Sequence, residues 1–116
     1  MSEAFDAAAL MDRVEDDVEF LEETVAMLDE DSPALLEEIG AAISAGDAEA
    51  LVKPAHALKG MLANFCAEPA EGAARELEAM GREGRLDDAQ ATLERAASET
   101  SRLSAALRAF LQSRSA

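Results

Sequence analysis

Residues 18–42, VEFLEETVAMLDEDSPALLEEIGAA, decide the fold class. Apolar or small residues recur at Val18, Leu21, Val25, Leu28, Ser32, Leu35, Ile39 and Ala42, in alternating steps of three and four. That spacing keeps them on one face of an α-helix, whereas a half-buried strand would alternate every second residue. Pro33 falls inside the pattern and removes one backbone hydrogen bond. Either a second helix begins there with Ser32 as its cap, or one long helix passes through with a kink. The phase survives the proline, which favours a kinked or nearly continuous helix.

The rest of the chain repeats this kind of pattern. Apolar residues make up 49% of the sequence but aromatics only 3%, so Ala, Leu, Glu and Arg dominate and strand formers are scarce. A short first helix is predicted over residues 5–14, with Asp6 near its start. Gly46-Asp47 ends one helix and caps the next. The following segment carries Leu51, Ala55, Leu58, Leu62 and Phe65 on one face. Glu68-Pro69 is expected to break it, with a further helix over residues 70–82 through Ala73, Ala74, Leu77 and Met80. Gly81 and Gly84 are read as the next turn. A last helix over residues 87–112 places Leu93, Ala96, Thr100, Leu103, Leu107 and Phe110 inward. Four amphipathic segments with short connections predict an all-α, antiparallel up-and-down four-helix bundle with a short extra N-terminal helix, one domain over residues 1–116.

Charge and cysteine content narrow the function classes. Residues 1–50 hold 16 acids and one base, Arg13, while residues 51–116 hold nine of each, so the whole net charge of -15 lies in the first half. No basic stripe exists to neutralise phosphates, so neither a nucleic-acid partner nor an anionic membrane surface is expected. The acidic half reads as a solvated helix face. Cys66 alone cannot build a disulfide framework and fits a reducing compartment. The first residues are acidic where a secretory leader would be basic and then apolar, and no apolar run could span a bilayer. A cytoplasmic protein is the expectation.

One constellation carries chemistry. His56 is the only histidine, and the only two lysines, Lys53 and Lys59, stand three residues before and after it. At about 100° per residue the imidazole lies about 140° from the apolar stripe, with each lysine about 60° to either side. Gly60 and Ala63 share that outer face. An imidazole titrates near pH 6.5 in general, so it can serve as a nucleophile at neutral pH. Neighbouring ammonium groups suit an added phosphoryl group. Gly60 costs about 1 kcal/mol of helix stability relative to Ala, which makes sense where a partner must come close. On spacing alone, a surface histidine beside a chance glycine is the more ordinary reading, since short motifs match by accident.

The segment Ala55-His56-Ala57-Leu58-Lys59-Gly60-Met61-Leu62-Ala63-Asn64-Phe65-Cys66-Ala67 closely resembles the signature of histidine-containing phosphotransfer domains. The similarity extends to Phe5-Asp6, to Gly46-Asp47-Ala48-Glu49-Ala50-Leu51 and to Ala74-Arg75-Glu76-Leu77-Glu78. The resemblance implies that His56 is the phosphoacceptor, through Nε2, that Lys59 contacts the phosphoryl group and that Gly60 leaves room for it. Lys53, Ala63 and Asn64 would lie at or beside the face that docks a partner. Glu78 stands twenty-two residues after the histidine, where several members have Gln. Its carboxylate could accept Nδ1–H and fix the tautomer, yet it would repel an incoming phosphoryl group; an ordinary solvated Glu is the other reading. Cys66 stands where the family often has Gly. Pro54 is unusual inside such a helix, and a kink is expected there, or a break with the helix restarting just before His56.

The function so implied is a phosphorelay intermediate. It would accept a phosphoryl group from a receiver-domain aspartate and pass it to another response regulator. Partners would be receiver domains of response regulators and hybrid histidine kinases, with Mg²⁺ supplied by the receiver and no cofactor of its own. No nucleotide motif is present, so a phosphocarrier without kinase activity is expected, working as a monomer. Two rivals stand beside it. One is a helical interaction module that docks receivers or other signalling partners and is never phosphorylated. The other is a hydrolase with His56 as general base, for which no Ser or Cys partner lies at a defined spacing.

Overall fold

The computed structural model describes residues 3–115, with the side chain of 115 left out. Five helices follow one another: α1 Ala7–Arg13, α2 Val18–Ser44, α3 Ala48–Ala63, α4 Glu68–Glu83 and α5 Ala89–Ser115. Each of the first three starts at an aspartate. Asp6, Asp17 and Asp47 accept from the backbone N–H of Ala9, Phe20 and Ala50, each at 3.0 Å, which satisfies one of the free donors at a helix start.

The expected pattern holds in α2, which runs unbroken through the exposed Pro33 with Ser32 buried beneath it. Pro54 likewise interrupts nothing: α3 is one helix, so no restart occurs before His56. The carbonyl that loses its partner belongs to Ala50, an exposed residue that can turn that oxygen to water. The positive end of α3 therefore sits at Asp47, more than two turns from the imidazole.

Two predicted boundaries shift. The third helix already ends at Ala63, and Glu68-Pro69 forms the first turn of α4. Proline is tolerated there because its missing N–H would have had no helical partner. Gly84, at φ +69°, is the left-handed cap of α4, but Gly81 is not part of the turn. It is buried inside α4, where a Cβ would lie 2.9 Å from both the Ala48 carbonyl oxygen and Val52 Cγ2. Glycine at this position lets α3 and α4 approach closely, and that approach brings Glu78 up to α3.

The bundle closes as a ring. Helix α2 packs on α3 and α5, and α4 packs on the same two helices from the other side. Short connections make ring neighbours antiparallel. Leu21, Leu28 and Ile39 of α2, Leu51, Leu58 and Leu62 of α3, Leu77 of α4 and Leu103 and Leu107 of α5 are almost wholly removed from water. Each contributes about 1.5–3 kcal/mol by burial. Helix α1 covers one end, where the Asp6 N–H donates to the Cys66 carbonyl at 3.0 Å and Phe5 meets Phe110 edge-on. No helix among the described residues is long and apolar enough to cross a membrane.

Candidate functional site

The outer face of α3 exposes the imidazole as predicted. With Leu51, Ala55, Leu58 and Leu62 turned inward, His56 projects outward with 63% of its side chain accessible. Its Nδ1 lies 3.0 Å from Glu78 Oε2, on α4. Glu78 is not the solvated residue of the alternative reading: its side chain is only 7% exposed. It follows Leu77 on the packed side of α4, and the close contact at Gly81 carries it under the histidine.

Three groups converge on that carboxylate. Besides His56, Oε2 accepts from Arg82 Nη2 at 2.6 Å and Nε at 3.1 Å, while Lys59 Nζ forms an ion pair with Oε1 at 2.7 Å. These partners hold the Glu78 carboxyl down at about 2. Lys59 is the largest cause; burial works against it, and Arg82 and His56 add to the lowering. At neutral pH the carboxylate can therefore only accept. The neutral ring must donate from Nδ1, which leaves the Nε2 lone pair facing solvent.

The same carboxylate links acidity to stability. The Glu78 pKa falls from 4.5 to about 2 on folding, so its contribution is complete above pH 4.5 and disappears as pH drops through about 2. Urea midpoints between pH 7 and pH 2 should show a loss on the order of 2 kcal/mol that is missing in Glu78→Gln.

Other predicted residues stand apart from this cluster. A Cβ on Gly60 would meet nothing within 4 Å, so nothing inside the chain requires glycine there. Lys53 is exposed and pairs with no acid among the described residues. Ala63 and Asn64 lie about two turns beyond His56, where Asn64 Oδ1 accepts from Arg13 Nη2 at 3.5 Å. Cys66 has φ +54°, a left-handed conformation that favours glycine. Arg82 was missed, although its spacing of four from Glu78 on one helix was a usable signal. The imidazole is open to solvent, with 63% of its side chain accessible, and not enclosed as the general base of a hydrolase would be.

Comparison with known proteins agrees with this geometry. The family model described as Hpt domain matches residues 23–113. The crystal structure of histidine-containing phosphotransfer protein B (HptB) from Pseudomonas aeruginosa PAO1 superposes with a TM-score of 0.76 at 30% identity, covering 97% of each chain. The curated proteins contain no match. With the family model spanning most of the bundle and the solved relative nearly all of it, the chain belongs to the Hpt-domain family of phosphotransfer intermediates in phosphorelay signalling.

Proposed function

We propose that His56 is the phosphoacceptor and that it exchanges a phosphoryl group with receiver-domain aspartates through Nε2. The observation that carries this is an outward imidazole, 63% exposed, whose Nδ1 is tied to a buried carboxylate. The Nε2 lone pair attacks the phosphorus of the receiver's aspartyl phosphate. The N–P bond forms as the P–O bond breaks, and the released electron pair returns to the aspartate as carboxylate. No proton leaves the ring in this step, so the imidazole becomes an imidazolium that keeps Nδ1–H. Glu78 faces that new positive charge, a role like that of the aspartate behind a catalytic histidine. Attack by a second receiver's aspartate reverses the same bonds.

Positioning and charge neutralisation provide most of the catalysis in such transfers. Mg²⁺ comes with the receiver's acid cluster and neutralises phosphoryl charge there. The groups of this chain at the site are cations and one carboxylate already paired, a set that fits an anion and not a metal. In this reading the chain is a monomeric phosphocarrier without kinase activity of its own, serving receivers of response regulators and hybrid kinases in the cytoplasm.

Incubation with a phosphorylated cognate receiver tests the proposal. Wild type is expected to gain acid-labile, alkali-stable label, and His56→Gln none. Labelling of neither protein by any cognate donor would leave the unphosphorylated docking module as the better account. Gly60→Ala adds a second check. Helix stability should rise by about 1 kcal/mol in a urea melt, because the methyl group meets open space. Transfer from a receiver should fall about tenfold, because the methyl obstructs a partner's close approach.

A further inference from the structure

Glu78 already occupies the cation that a phosphoryl group would need. Its Oε1 lies 2.7 Å from Lys59 Nζ, and its Oε2 takes both His56 Nδ1 and Arg82. A phosphoryl group on Nε2 brings a second anion to this face, and the two anions then compete for the ammonium now held at Oε1. Withdrawing the only cation from a buried carboxylate would be costly. Glu78, however, is held independently by two N–H bonds from Arg82, one turn along the same helix. Arg82 itself is 60% exposed, so it holds the carboxylate from the solvent side. Lys53 pairs with no acid among the described residues, so the competition concerns Lys59 alone.

Building on the phosphoacceptor role of His56, we propose that Arg82 is a positioning residue: by keeping hold of Glu78, it frees Lys59 to move from the carboxylate to the phosphoryl group. Without Arg82, Lys59 stays committed to Glu78 and is withheld from the phosphoryl group. With a neutral side chain at position 78 no such hand-over is needed.

The test uses phosphoramidate, a small donor that needs no partner protein, and follows the loading rate and phosphohistidine half-life of the full chain. Lys59→Ala is expected to slow loading about tenfold in wild type but less than about threefold in Arg82→Ala, where Lys59 is already withheld. Arg82→Lys should restore most of the Lys59 dependence. Adding Arg82→Ala to Glu78→Gln should change either readout by less than about twofold. Thermal melts establish that each variant is folded, which the exposure of Arg82 makes the expected result. An equal Lys59→Ala effect with and without Arg82 would overturn the hand-over while leaving His56 as acceptor. A wild type that forms phosphohistidine from neither phosphoramidate nor a receiver would overturn the acceptor role, and the hand-over with it.

Discussion

Glu78→Ala is expected to slow receiver-dependent labelling of His56 by about 10- to 100-fold while the bundle remains folded. Two effects act together. The ring loses the acceptor that fixes Nδ1–H, so part of the population carries its proton on Nε2 and cannot attack. The imidazolium formed during transfer also loses the carboxylate facing it. Stability should fall by less than about 2 kcal/mol, because Lys59 and Arg82 both have access to water once the carboxylate is gone. Glu78→Gln separates the two effects. Its amide oxygen can still accept from Nδ1, so the tautomer survives and only the charge is lost. Labelling kinetics should therefore rank wild type first, Glu78→Gln second and Glu78→Ala last. Equal rates for Ala and wild type would mean that the hydrogen bond at 3.0 Å does nothing for transfer.

Phe65→Ala should produce the largest loss of stability, about 3–5 kcal/mol in urea or thermal unfolding. Phe65 is 1% exposed and stands just past Asn64, the C-cap of α3, where it joins the core formed by the main helices. A whole domain is stable by only about 5–15 kcal/mol, so one cavity of this size takes a large share. Phe65→Leu keeps much of the volume and should cost about 1 kcal/mol or somewhat more. A loss below about 1 kcal/mol for Phe65→Ala would contradict the packing at that end.

The sequence exposes the helices and the histidine because both depend on local periodicity. The stripe from Val18 to Ala42 and the boundary at Gly46-Asp47 follow from helix geometry and capping alone. So does the outward direction of His56, since Leu51, Leu58 and Leu62 define the inner side of α3. What was ambiguous depends on how two helices meet. Glu78 falls on the buried row with Ala70, Ala73, Ala74, Leu77 and Gly81, yet a carboxylate there makes sense only with Lys59 delivered by another helix. Arg82 follows from Glu78 and was hidden with it. In the sequence Gly81 reads as a turn because glycine often punctuates helices; its role in the fold, close packing on Val52, is a tertiary fact. Pro54 and Pro69 show the same limit. Whether proline breaks a helix depends on where the freed carbonyl points and how near the helix start lies.

Because His56 is the only histidine in the chain, ¹⁵N labelling of histidine reports on a single ring. The most direct measurement is the ¹⁵N imidazole spectrum before and after exposure to a phosphorylated receiver. The predicted result is a proton on Nδ1 in the resting protein and ³¹P coupling on Nε2 after transfer. Coupling on Nδ1, or none on either nitrogen with a receiver that is demonstrably discharging to another acceptor, would contradict the assignment of Nε2 as the nucleophile.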